Sequence, residues 1–232
     1  MERDGSGKAR TERRQFLLGA TAGLVAAGCA TGTPQQRPKP GESTEAEVTP
    51  GEDLMQEHGV LDRILLIYEE SARRIDMDNR FNFATLAAAA GIVRHFIEDY
   101  HEKNEELFVF PRLQSAGREK DLVATLLAQH RRGREITDAI TQTASRGGSP
   151  DLVRLLRGFS RMYRPHAARE ETVIFPAFRT LLGRTAYREL GERFEDKERE
   201  ILGAHGFEST IAEVARLEQA LDMGELARFT ME

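Results

Sequence analysis

His101-Glu-Lys-Asn-Glu105-Glu106-Leu-Phe-Val-Phe110-Pro111 and His166-Ala-Ala-Arg-Glu170-Glu171-Thr-Val-Ile-Phe175-Pro176 are two copies of one pattern. Five positions coincide at a single offset of 65: His101/His166, Glu105/Glu170, Glu106/Glu171, Phe110/Phe175 and Pro111/Pro176. Each copy is preceded by a helical stretch with one more histidine, Leu54-Met-Gln-Glu-His58 in the first case and Leu126-Leu-Ala-Gln-His130 in the second. Self-similarity at a fixed offset marks a structural unit used twice. The chain therefore reads as two helical hairpins of one design, each giving a His from its first helix and a His-x-x-x-Glu from its second.

The surrounding sequence supports helices only. Apolar residues recur at helical spacing, as in Leu61, Ile64, Leu65, Tyr68 and in Phe83, Leu86, Ala90, Val93, Ile97, with no strand-like alternation of comparable length. Breaks are expected at Asp76–Asn82, Pro111–Arg118, Arg146–Pro150 and Leu182–Arg184, with Ser149-Pro150 as an N-cap followed by proline at the first helical position. Long helices joined by short connections predict an all-α, up-down-up-down four-helix bundle over residues 52–182. Further helices near 185–202 and 207–221 form a C-terminal extension over 183–232.

On a helix, residues four apart share a face, so His101 projects with Glu105 and His166 with Glu170. Two such faces turned inward, joined by His58 and His130, give four imidazoles and two carboxylates around one axis. A lone His, or one His/Glu pair, is ordinarily a surface or core hydrogen-bonding group. Duplication changes the odds, because it draws four of the six histidines into one symmetric scheme. Imidazole with carboxylate suits a pair of iron-type ions better than Mg or Ca, zinc or manganese being the alternatives. The single cysteine excludes an internal disulfide and a thiolate-rich metal site.

The remaining candidates are weaker. His95 lies six residues before His101 and points elsewhere, and His205 falls in a turn, Gly203-Ala-His-Gly206. Glu102, Glu106 and Glu171 form either a solvated face, or carboxylates that support the ligands from behind or act as alternative ligands. Glu102, next to His101, is the strongest of these. The Phe-Pro pairs are read as core packing with helix stops, Pro165 as a kink beside His166, and Tyr68, Tyr100 and Tyr163 as buried tyrosines.

The N-terminal residues read as an address. Arg13-Arg14 precede an apolar run from Phe16 to Ala30, too short and too glycine-diluted to span a bilayer. The order resembles a twin-arginine export signal over residues 1–29, and Cys29, after Ala26-Ala27-Gly28, sits where a bacterial lipoprotein is cleaved and lipidated. Ala26 departs from the lipoprotein pattern, so release by ordinary cleavage stays open. Residues 30–51 hold four of the eight prolines and read as a flexible spacer. The expected location is the periplasm or cell envelope, with a membrane lipid anchor at Cys29 in the lipidated case.

Composition agrees with a soluble helical protein: 40% apolar and 31% charged residues, with no Trp. The formal charge is −5; residues 1–28 hold five basic and three acidic groups, which leaves 28 against 35, or −7, for the rest. That balance excludes nucleic acid as a partner.

Together these motifs resemble the hemerythrin-like proteins, in particular their HHE cation-binding branch. The resemblance covers roughly residues 54–181 and rests on Glu57-His58, the His101 and His166 motifs, and Gln129-His130. It implies a non-haem di-iron centre in a four-helix bundle, with His58, His101, His130 and His166 as terminal ligands and Glu105 and Glu170 bridging. The expected ligand is O2, peroxide or nitric oxide. Oxygen-carrying hemerythrins have a further His where this chain has Arg134, and an Asp in the last motif where it has Glu170. Fewer nitrogen donors point away from reversible O2 carriage, toward peroxide or nitric oxide chemistry or simple iron binding.

Overall fold

The computed structural model describes residues 48–77 and 81–230, so the expected export signal, Cys29 and most of the spacer lie outside the described residues. Helix α1 spans Pro50–Met77. Helix α2 occupies residues 83–115 and α3 Lys120–Ser145. Helix α4 covers residues 150–179, α5 is Arg184–Leu202 and α6 is Gly206–Ala220. No strand occurs among the described residues. Successive helices of the first four pack on one another, α1 on α2, α2 on α3 and α3 on α4, and α1 packs on α4, closing the ring of a bundle. Helices α5 and α6 lie on its outside, with Arg63 of α1 forking onto Glu218 of α6 through Nε at 2.8 Å and Nη2 at 2.5 Å.

Helix α1 begins two residues inside the stretch read as spacer. Thr49-Pro50-Gly51-Glu52 is a capping box: Thr49 N–H donates to Glu52 at 2.9 Å, Glu52 N–H donates to the Thr49 hydroxyl at 3.4 Å, and proline fills the first helical position. A second difference is at Pro111, expected as a break. Helix α2 runs through it to Ser115.

The reason is the backbone just upstream. Within α2, Val93–His101 and Glu105–Val109 are π-helical, and within α4 Glu170–Ile174 is too. The Phe110 N–H reaches back five residues to the Glu105 carbonyl, and Phe175 does the same to Glu170. A regular α-turn would press the ring of Pro111 or Pro176 onto the carbonyl four residues earlier. The widened turn removes that clash. Pro165 sits inside α4 one residue before His166, and the helix continues past it as well.

The core forms two apolar clusters at different heights. One contains Leu61, Leu65, Ile97, Ile140, Leu156 and Phe159, with Val214 of α6. The other contains Leu54, Val109, Leu126, Ile174 and Phe178, with Phe194 of α5. Every central helix passes from one to the other, and each crosses a short polar stretch between them.

Close helix contact at this level depends on Gly133 of α3. A Cβ there would stand 2.0 Å from the Tyr163 hydroxyl of α4, a fully buried ring. Gly133→Ala is expected to destabilise the protein by about 1–3 kcal/mol through overpacking, measured as a lowered denaturant midpoint with unchanged slope.

Candidate metal centre

The polar stretch between the apolar clusters holds His58 from α1, His101 and Glu105 from α2, His130 from α3, and His166 and Glu170 from α4. All six are buried. The structure brings together every residue singled out for the site. Ligand atoms of His58, His101 and Glu105 lie within 4.8 Å of one another, and so do those of His130, His166 and Glu170. Imidazole rings pair across helices, with centroids 4.7 Å apart for His58–His101 and 5.0 Å for His130–His166.

The carboxylates lie between the pairs. Glu105 Oε1 is 3.6 Å from His101 Nε2 and its Oε2 is 3.5 Å from His130 Nε2. Glu170 Oε2 is 3.0 Å from His166 Nε2 and 3.4 Å from His58 Nε2. Each carboxylate thus reaches both hairpins. Apart from these imidazoles, nothing among the described residues hydrogen-bonds either carboxylate. A fully buried ionised carboxylate with so few partners costs several kcal/mol, so the pocket is built for a cation. His130 Nε2 and His166 Nε2 stand 3.2 Å apart. Two nitrogens each about 2.0–2.1 Å from one ion stand roughly 2.9–3.4 Å apart, and the pair fits that spacing.

The outer nitrogens are all tied down. His58 Nδ1 is 3.2 Å from Glu171, His101 Nδ1 2.8 Å from Glu57, His130 Nδ1 3.2 Å from Glu106, and His166 Nδ1 2.9 Å from the Gln129 side-chain oxygen. An imidazole that donates through Nδ1 offers the Nε2 lone pair, here directed at the centre. Phe175 stacks on His58 at 5.4 Å and Phe110 lies 5.6 Å from His130. The duplicated phenylalanines therefore serve as walls for the histidine of the opposite hairpin.

Several of these supports were not legible in advance. Glu57 and Gln129 immediately precede the two upstream histidines, and that adjacency was the available signal. Glu102 does not contact the His101 ring. It is fully buried, accepts from the Tyr163 hydroxyl and from Arg134 at 2.6 Å each, and stands 3.9 Å from His130 Nδ1. Glu102 therefore stands with Glu106 behind His130 rather than on His101, and Glu106 is the nearer of the two, at 3.2 Å. Arg134, at the place where oxygen carriers have another ligand, also donates to Glu106 at 2.7 Å. Tyr100 donates to Glu57 at 2.8 Å. His95 and His205 are exposed, away from the cluster.

With no cation bound, protons divide unevenly over the pocket. Burial disfavours the charged His58 imidazolium, but Glu170 and Glu171 outweigh it and hold its pKa up at about 9. Burial and the His58 charge push His101 well below its usual value, and burial brings His130 down to about 4. Burial and the neighbouring Glu170 raise Glu105 well above the carboxylate range, whereas His166 and His58 overcome burial at Glu170 and keep it low. Burial raises Glu102 to about 8 against Tyr163 and Arg134.

A bundle with buried His/Glu clusters on all four helices defines a cation-binding class, and comparison with known families agrees. The chain matches the Hemerythrin HHE cation binding domain over residues 49–178 and belongs to that family. More narrowly, it is 40% identical over 230 residues to uncharacterized proteins of Mycobacterium tuberculosis (strain ATCC 25618 / H37Rv) and Mycobacterium bovis, covering 94% of this chain and 90% of each relative. No solved structure matches it.

The raised His58, Glu102 and Glu105 values set a pH dependence. Between pH 6.5 and 9 the folded, cation-free protein holds protons that the unfolded chain has released, so stability falls as pH rises through that window. The slope approaches about 1.4 kcal/mol per pH unit for each proton involved. The thermal midpoint of the chelator-treated protein is expected to drop from pH 6.5 to 9, checked by calorimetry.

Proposed function

We propose that the pocket holds two iron ions and that the protein is a non-haem di-iron protein of hemerythrin type, binding or sensing O2 or a related small oxidant. The observation that carries this reading is the convergence of four Nε2 atoms on four carboxylate oxygens that nothing else satisfies. Each cluster has two histidines and one carboxylate, the donor set that suits Fe(II) while leaving positions open to a small ligand. Glu105 and Glu170, which reach both hairpins, would hold the ions together with His58, His101, His130 and His166. Iron so held supplies one-electron and O2 chemistry. The protein's own residues orient the imidazoles through Nδ1, exclude water with the two apolar clusters, and wall the rings with Phe110 and Phe175.

A second reading, an enzyme that consumes peroxide or nitric oxide, is favoured by Arg134. That side chain is spent on Glu102 and Glu106, so iron held here would have one nitrogen donor fewer than in the oxygen carriers. Reconstitution with Fe(II) is expected to give two irons per chain and an oxo-bridged di-iron absorption on exposure to air. His101→Ala is expected to bind at most one. Iron near zero after anaerobic loading overturns the reading, and zinc or manganese in protein from its own host reassigns the metal. Peroxide or nitric oxide turnover well above that of free iron selects the enzymatic version.

We also propose that this centre works in the cell envelope. Support comes from Arg13-Arg14, the apolar run and Cys29; no helix among the described residues is long and apolar enough to cross a membrane. Cys29→Ser is expected to move the protein from the membrane fraction to the soluble one, and an unchanged distribution removes the lipid anchor.

A further inference from the structure

The four imidazoles are oriented alike, but by unlike groups. Offsets that relate the hairpins match Glu57 on His101 with Gln129 on His166, and Glu171 on His58 with Glu106 on His130. The first correspondence exchanges a carboxylate for a neutral amide. The second keeps the carboxylate and changes its surroundings: Glu106 accepts from Arg134 and from Lys103, each at 2.7 Å, whereas the charges acting on Glu171 are those of His58 and Glu170. Asp62 stands at the position equivalent to Arg134, four residues after the upstream histidine. Glu102 adds a carboxylate to the His130 side, and Arg134 pairs with that one too, at 2.6 Å.

The His58–His101 position is thus backed by Glu57 and Glu171. The His130–His166 position is backed by Gln129 and by carboxylates shared with Arg134 and Lys103. An imidazole whose Nδ1–H donates to a carboxylate is a stronger donor through Nε2, and such supporting groups change metal affinity by about 10–100-fold. Net negative charge near a cation acts in the same direction, at reduced effective dielectric.

We infer that the two cation positions are unequal, the His58–His101 position filling first and more tightly, and that Glu57 opposite Gln129 sets the order. This rests on the two-cation reading given above. Glu57 touches no ion and is a positioning residue.

The test is anaerobic titration of chelator-treated full-length protein with Co(II) alone, followed by calorimetry and visible absorption. The expected result is two steps at least ten-fold apart in affinity. Glu57→Gln weakens the tight step about 10–100-fold and merges it with the second. Gln129→Glu, at a half-buried position, strengthens the weak step and also closes the gap. The double exchange Glu57→Gln with Gln129→Glu restores two steps in reversed order, recognised because His166→Ala added to it removes the tight one, a pattern that a merely structural role for Glu57 would not produce. Two cations bound with equal affinity, or steps unmoved by both single exchanges, overturn the inference and leave the two-cation reading standing. Fewer than two Co(II) per wild-type chain overturns that reading itself.

Discussion

Everything in this fold is arranged around the burial of two carboxylates that face only imidazoles. Glu105 and Glu170 are fully enclosed at mid-height in the bundle, and keeping both ionised in such a place is costly. Four imidazoles facing them soften the penalty through partial protonation, most visibly at His58, but they do not remove it. A bound cation would remove it, and binding energy at such a site then becomes folding energy for the bundle. The apolar clusters above and below seal the layer from water and sharpen every electrostatic interaction inside it.

Crossing between hairpins is what makes the site a property of the whole domain. Glu106 and Phe110 of the first hairpin serve His130 of the second, while Glu171 and Phe175 of the second serve His58 of the first. Glu57 and Gln129, by contrast, act within their own hairpins, on His101 and His166. Neither half holds a complete set of donors or supports. The approximate two-fold is therefore enforced by contacts, and its departures, Glu57 against Gln129 and Asp62 against Arg134, are the places where the halves have specialised.

Much of this was readable in the chain. The doubled His-x-x-x-Glu with its Phe-Pro sequel located the helices, their number and the six central side chains, because a repeat constrains both period and orientation at once. Reading failed where geometry depends on the partner helix or on backbone irregularity. Glu102 was favoured over Glu106 because it adjoins His101, but both stand behind His130 of α3, and only that packing shows Glu106 to be the nearer. Thr49-Pro50-Gly51-Glu52 carried a capping signature that a proline-rich context concealed. The π-helical turns leave no periodic trace in the apolar pattern, so Pro111 looked like a stop.

Those widened turns also fix where the carboxylates can be. A π-bulge in an unremarkable helix can migrate along it by exchanging hydrogen bonds, each hop rotating the side chains it passes. In α2 and α4 the bulge is anchored, since moving it away from Pro111 or Pro176 would restore a clash of about 3 kcal/mol, a population penalty of more than a hundredfold. Glu105 and Glu170, the first residues of those turns, are consequently locked to one rotational setting by a ring six residues downstream, and the aim of the central carboxylates is written into a proline that never touches them.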